Sequence, residues 1–304
     1  MNDFCETIGI RYPIILGGMA RVGTAPLAAA VSNAGGLGLL GASVWNASKL
    51  RDQIRQTREL TDKVFGVNIT IRGKYADELA DTVIEEKIPV VSTSAGNPRL
   101  FTSRFRENNI FVLHVVPTVA LAKKADQAGV NAIIAEGSES GGMTSREGIS
   151  TLALVPQVVD AVTCPVIAAG GIGDGRGMTA AMAMGAVGVQ MGTVFLATEE
   201  CEVSPVLKEM LILAKETDTA FIQGENMARR VIRDSFYNET KERLAKENPE
   251  ILKTLDNEQG AHTRGAGQVI GLIREIRPVA DLIAKMIEEA NAALPRIREN
   301  LSSV

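Results

Sequence analysis

Short apolar runs alternate with amphipathic stretches along most of the chain. Residues 13–16, 38–41, 65–69, 89–93, 110–115, 132–135, 166–169 and 188–191 are such runs. Each is followed by polar or glycine-rich residues, so each reads as a short buried strand. Helical patterns separate them, including 26–34, 48–59, 76–86, 99–108 and 119–128, and 207–214 follows the eighth run. Within 76–86, Leu79, Val83 and Ile84 share one face. Pro26 near the start of the first of these helices and Gly35-Gly36 beyond its end are ordinary start and stop signals. Strands joined through helices run parallel, with their carboxyl ends on one face. Eight such units over about 200 residues predict an α/β fold, a (β/α)8 TIM barrel. The rival, a doubly wound open sheet, normally shows fewer strands and a glycine fingerprint after the first one. Here the first turn is Gly17-Gly18-Met19-Ala20, and the glycine-rich loops come late.

Beyond Cys201 the rhythm changes. Residues 217–260 are more charged and long for a plain connection. They are expected to hold helices around 227–236 and 240–248 and to form a small helical lid after the eighth strand. The expected division is a barrel of residues 1–207 and 266–304, with a lid or substrate subdomain at 208–265. A final amphipathic helix, 278–300, carries the stripe Leu282, Ile283, Met286, Ile287, Ala290 and Leu294. That stripe packs on the barrel or on a partner subunit, which would make a homodimer.

Composition narrows the function classes. The 304 residues are 45% hydrophobic and 22% charged, with a net charge of −4 and no basic block. A nucleic-acid surface and a membrane tether are therefore not expected. No apolar run approaches about 18 residues. The first ten residues lack a basic region followed by an apolar one, so no signal peptide is expected. Three scattered cysteines (Cys5, Cys164, Cys201) suit a reducing cytoplasm. Two histidines, His114 and His262, leave little for a metal site, and none is expected.

The strand ends carry the candidate chemistry. After the seventh strand come Gly170, Gly171, Gly173 and Gly175, and after the eighth come Gly192 and Thr193. Glycines let backbone N–H groups approach an anion, and the loops after the last two strands of such barrels commonly bind phosphate. Asp174 is placed to cap the helix that begins near Gly177, whose N-terminus adds partial positive charge. The plainer account is that these glycines only make tight turns. Asn68, the stretch from Thr93 to Asn97, and Glu136 put polar groups at other strand ends, suited to a polar heterocycle or its ribityl chain. The plainer accounts are a satisfied turn for Asn68 and an ion-pair partner for Glu136.

Several motifs together resemble the nitronate monooxygenase (2-nitropropane dioxygenase-like) family. They are GGMA, FGVNI, STSAGNP, VVPTVALAKKA, AEGSESGG, LVPQVV, CPVIAAGGIGDGRG and VQMGT, and the likeness continues to AGQVIGLI at residues 266–273. That family includes the FMN-dependent enoyl-acyl-carrier-protein reductase of bacterial fatty-acid synthesis, and AEGSESGG and VVPTVALAKKA resemble that branch more closely. The resemblance implies an FMN-binding barrel with a small helical lid, and NADH or NADPH as electron donor. By position it implies Gly18, Met19, Asn68, Glu136, Gly141, Gly170, Gly171, Gln190, Met191, Gly192 and Thr193 as flavin neighbours. The implied substrate is a small or acyl-carrier-bound molecule.

One departure matters. The family's strand-six loop reads Gly-Gly-His, and the histidine is assigned a catalytic role; here the loop reads Gly141-Gly142-Met143. A methionine side chain moves no proton at neutral pH. Reduction of an enoyl thioester still needs a proton, from water, Thr144, Ser145, His262 or no particular group; loss of a general acid need not abolish turnover. His114 sits in an apolar strand, as a satisfied core residue or as a lining of the flavin pocket. Oxidation of a nitronate, already a carbanion equivalent, needs no base. Three readings stand: an enoyl reductase, a nitronate oxidase using oxygen, and a flavin-binding protein that has lost its chemistry. Arg146 and Lys123 are read as surface charges or as contacts for a phosphate, and Met178, Met182 and Met184 as helix packing.

Overall fold

Eight short strands form one parallel sheet that closes on itself. They are β1 (Ile14–Leu16), β2 (Gly38–Gly41), β3 (Phe65–Thr70), β4 (Val90–Ser94), β5 (Phe111–Val116), β6 (Ala132–Glu136), β8 (Val166–Ala169) and β9 (Gly188–Met191). Their order is β1-β9-β8-β6-β5-β4-β3-β2, every pair parallel. The seam between β1 and β2 is joined by Leu16 N–H to Leu37 O and Leu37 N–H to Ile14 O, both 2.9 Å. The computed structural model describes residues 3–225, 227–247 and 264–302. The architecture is the expected (β/α)8 barrel.

Both faces of the strands are covered, which is why their runs are apolar. Ile14, Ile15, Leu16, Leu39, Leu40, Ile133 and Ile134 have no solvent exposure, and each such side chain contributes roughly 1.5–3 kcal/mol by leaving water. The helices around them start where a short polar side chain accepts from the first turn. Asn46 caps α3 (Ala47–Leu60) through Lys49 N at 2.9 Å, and Asp174 caps α8 (Gly175–Ala183) through Gly177 N at 2.9 Å. The C-terminal helix, Val279–Ser302, lies against α8. Their backbones nearly touch: a Cβ on Gly175 would fall 2.2 Å from Met286 O. Ile283 and Met286 of the expected stripe are buried there, whereas Leu294 is 57% exposed.

The segment after α10 (Pro205–Leu213) departs from the helical expectation. Strands β10 (Thr219–Gln223) and β11 (Ala228–Ile232) form an antiparallel hairpin. A third strand, β7 (Gly142–Thr144), joins it from the loop after β6, with Met143 opposite Arg229. Residues 228–232 of the expected 227–236 helix are therefore a strand, and only 234–236 are helical. The burial of Ala228, Arg230 and Ile232 alternates with the exposed Arg229 and the half-exposed Val231, the period of a strand. A helix does follow, α11 (Asp234–Glu247); position 248 of the expected 240–248 helix lies outside the described residues. No described helix is long and apolar enough to cross a membrane.

Candidate active site

Register fixes which side chains enter the barrel. In parallel pairs, aligned residues point the same way and successive residues alternate. Asn68 aligns with Ser92, Ser92 with Leu113 and Leu113 with Ala132. Two and four residues beyond Ala132 lie Ile134 and Glu136, and Glu136 aligns with Ala169, which aligns with Gln190. A Cβ on Gly18, after β1, would lie 2.2 Å from Asn68 Cγ. Because β1 and β3 are not neighbours in the sheet, that contact runs across the lumen. Asn68, Ser92, Glu136 and Gln190 therefore face inward at the carboxyl ends of the strands.

Of these inward groups Asn68 is the most firmly held. Asn68 is 3% exposed; its Nδ2 donates to Ser92 O at 3.3 Å, and its Oδ1 accepts from Ser43 Oγ at 3.3 Å. Gln190 Nε2 makes only a long contact, 3.5 Å, to Leu16 O. Met19 lies over the end of β9, where a Cβ on Gly192 would sit 3.2 Å from its Sδ. Met191 turns its side chain to the opposite face from Gln190, and its carbonyl accepts from Gly17 N at 2.7 Å. Gly141 is pressed against the returning chain, since a Cβ there would fall 2.6 Å from the Ala266 carbonyl carbon.

Two neighbouring strand ends present bare backbone donors. Gly170 and Gly171 adopt φ of +88° and +69°, a region that favours glycine. Neither of their amides, nor those of Gly192 and Thr193, has an acceptor among the described residues. The expected Asp174 cap on α8 forms, and a second carboxylate joins it. Gly177 N is taken by Asp174 and Gly175 N by Glu289 Oε2 at 3.0 Å, so carboxylates already occupy that helix end. Thr193 Oγ1 accepts from Gly267 N at 2.9 Å, which fixes its hydroxyl.

The loop after β6 was only partly legible. Glu139 turns its carboxylate to Thr151 N, 2.9 Å from each oxygen, at the start of α7 (Thr151–Val159). Arg230 is 8% exposed; its Nε donates to Ser138 O at 2.9 Å and its guanidinium lies over the Phe221 ring. Burial lowers the Arg230 pKa, against an opposing pull from Glu139. The hydroxyls of Ser140 and Thr144 are buried without a hydrogen-bond partner in this structure. Neither residue stood out for burial in the sequence, because a hydroxyl in a glycine-rich loop reads as solvated.

Of the three candidate catalytic positions, only Met143 lies at this loop. It is 47% exposed on β7. His114 is not brought to the mouth. It aligns with Thr93 and Ile133, on the opposite face from Ser92 and Leu113, and so faces the helical layer. It is 4% exposed, its Nδ1 lies 2.8 Å from Thr93 Oγ1, and burial pushes its pKa down to about 4. His262 lies outside the described residues. Glu136, by contrast, has its pKa raised to about 7 by burial, weakly opposed by the Ser140 hydroxyl. That hydroxyl is near enough to act on the carboxyl but makes no hydrogen bond to it.

The chain is similar to known proteins over most of its length. The family model described as nitronate monooxygenase matches residues 2–289. A probable nitronate monooxygenase of Staphylococcus aureus is 37% identical, covering 72% of this chain and 74% of its own. FabK from Thermotoga maritima is 41% identical over 99% of both chains, with a TM-score of 0.87. A nitroalkane oxidase from Streptomyces ansochromogenes is 28% identical over 93% of this chain and 98% of its own, with a TM-score of 0.80.

Proposed function

Because the chain belongs to the nitronate monooxygenase family of oxidoreductases, we propose that it is an FMN-dependent reductase of enoyl thioesters, driven by NADH or NADPH. The observation that carries this reading is the paired set of free amides at the ends of β8 and β9, beside the inward Asn68, Glu136 and Gln190. Four unpaired N–H donors on adjacent strand ends fit the phosphate of a mononucleotide. A Cβ at Gly170 would fall 2.7 Å from Gly137 O, so only glycine leaves this cradle open. The orphaned Ser140 hydroxyl is a further polar group awaiting a partner. The residues present thus fit FMN. The amides of Gly170, Gly171, Gly192 and Thr193 would hold its phosphate, and Asn68, Gln190 and Glu136 would face its polar ring or ribityl chain. When bound, FMN supplies hydride transfer.

The choice of enoyl thioester rests on the sequence resemblance to the enoyl-reductase branch and on the match to FabK over nearly the whole of both chains. The substrate would be a small or acyl-carrier-bound thioester, in the cytoplasm, and the enzyme a homodimer. A second reading, oxidation of alkyl nitronates with oxygen, is favoured by Met143: a half-exposed apolar side chain suits a substrate that needs no base. Anaerobic stopped-flow on the FMN-loaded protein separates them. Flavin bleaching by NADH or NADPH, followed by reoxidation with a crotonyl thioester, is expected. Bleaching by a propionate nitronate and by neither nucleotide would reverse the assignment. Bound FMN that none of them reduces would leave a binding protein without this chemistry.

A further inference from the structure

Enoyl reduction consumes one proton at the α-carbon, and a side chain at the barrel mouth can deliver it. The eight barrel strands carry two ionisable side chains, His114 and Glu136. His114 faces the helical layer and is bonded to Thr93. Glu136 faces the lumen at the strand end, level with Ala169 and Gln190, next to the free amides after β8. Its carboxyl has no ion-pair or hydrogen-bond partner among the described residues. The buried, unpartnered Ser140 Oγ is close by, and Ser140 N would be 3.2 Å from a Cβ on Gly170. The other groups of the loop are engaged elsewhere: Glu139 caps α7, and the buried Arg230 is tied to the Ser138 carbonyl.

We propose that Glu136, with the Ser140 hydroxyl beside it, delivers the proton that saturates the enoyl thioester. This rests on the enoyl-reductase reading above. The hydride, and with it both electrons drawn from NADH or NADPH, goes to the β-carbon, and the π pair of the alkene moves to the α-carbon. The Glu136 O–H bond breaks and its proton forms the new α C–H bond. Glu136 is left as a carboxylate and recovers a proton from water at the mouth, so the net consumption is one solvent proton and one reduced nucleotide. No charged described side chain of β5, β8 or β9 shares its face; Leu113, Ala169 and Gln190 do. Partial burial at the strand end, without a counter-charge, keeps the acid form available up to about pH 7.

The test uses the FMN-loaded enzyme and three proteins: wild type, Glu136→Gln and Glu136→Asp. Flavin bleaching by NAD(P)H is measured first, then reoxidation of the reduced enzyme by crotonyl thioester across the pH range. Wild-type reoxidation should fall off above about pH 7. Glu136→Gln should reoxidise roughly 10²–10⁴-fold more slowly and lose that limb, while Glu136→Asp, which keeps a carboxyl, should recover part of the rate. Infrared difference spectra between wild type and Glu136→Gln provide a readout that needs no turnover. They should show a protonated carboxyl that disappears with the same midpoint. A folded, FMN-retaining Glu136→Gln enzyme that reoxidises at the wild-type rate would overturn the proposal, as would a carboxyl already ionised at pH 6. Absence of bleaching in wild type would overturn the enoyl reading and this step with it. That failure is distinct, because it appears before any thioester is added.

Discussion

β5 and β6 stand side by side, and each withdraws one ionisable group from water, His114 almost completely and Glu136, at its strand end, in part. His114 and Glu136 undergo the same physics, since removal from water disfavours the charged form of each. The histidine is held neutral as a base and the glutamate as an acid. Their surroundings then part company. His114 sits against the helices with Thr93 at 2.8 Å, a satisfied core group. Glu136 sits on the lumen face with no partner and with an orphaned hydroxyl beside it. Burial alone therefore does not mark a reactive group. The strand face it occupies and the absence of a protein partner do.

The largest effect expected from this contrast is catalytic. Glu136→Gln should cost roughly 10²–10⁴-fold in the proton-requiring step, whereas His114→Gln should stay within about threefold of wild type, because its side chain faces away from the mouth. Equal losses in the two variants, measured as crotonyl-thioester reoxidation, would erase the distinction.

The next effect is on stability, with opposite signs. Glu136 has a raised folded pKa, so its contribution is fully present below about 4.5 and is lost as pH rises through about 7. His114 has a lowered one, so its contribution is present above about 6.5 and is lost as pH falls through about 4. Each shift corresponds to a few kcal/mol, roughly 3 to 4. Between these limits the two slopes oppose each other in wild type. Relative to wild type, Glu136→Gln should gain stability as pH rises from about 4.5 to 7. His114→Gln should gain it as pH falls from about 6.5 to 4. Urea unfolding across this range reads both, and two differences of the same sign would show that burial does not govern these groups.

This contrast was half visible in the sequence. Residues 38–41, 166–169 and 188–191 are strands as expected, because short, largely apolar runs between helical patterns fit a strand buried on both faces. Asp174 could be read as a cap from its position three residues before Gly177. A short apolar run does not show which of its residues faces inward, so His114 stayed ambiguous until register assigned it a face. Strand β7 exists only because Gly142, Met143 and Thr144 pair with Arg230, Arg229 and Ala228, some 85 residues away in sequence, and no local pattern records that. The blocking of the α8 N-terminus by Glu289 is hidden for the same reason: it arrives from a helix more than a hundred residues later.

A smaller effect tests the inward face without touching either ionisable group. Gly18→Ala would place its Cβ 2.2 Å from Asn68 Cγ, a buried atom already held between Ser92 and Ser43. Overpacking of this kind costs about 1–3 kcal/mol. If Asn68 faces the cofactor, the same displacement should weaken FMN binding by about tenfold or more, measured by titration of the apoprotein. Unchanged FMN affinity in a folded Gly18→Ala protein would remove Asn68 from the cradle.

The smallest expected effect is the most specific. Ser140 Oγ is buried without a hydrogen-bond partner, yet it lowers the Glu136 pKa slightly against the dominant effect of burial. Both hold if the hydroxyl sits at the edge of hydrogen-bonding reach of the carboxyl, where a small rotation lets it donate. Ser140→Ala removes an unsatisfied polar group, so stability should hold or rise by up to about 1 kcal/mol. It also removes the one group that favours the Glu136 carboxylate, so the basic limb of reoxidation should move upward by a fraction of a pH unit. His114, on the other face of the neighbouring strand, should titrate unchanged by NMR in the same variant. A limb that moves downward would mean that Ser140 stabilises the protonated acid by accepting its hydrogen, and the two residues would then act as a bonded pair in which the serine holds the proton on Glu136.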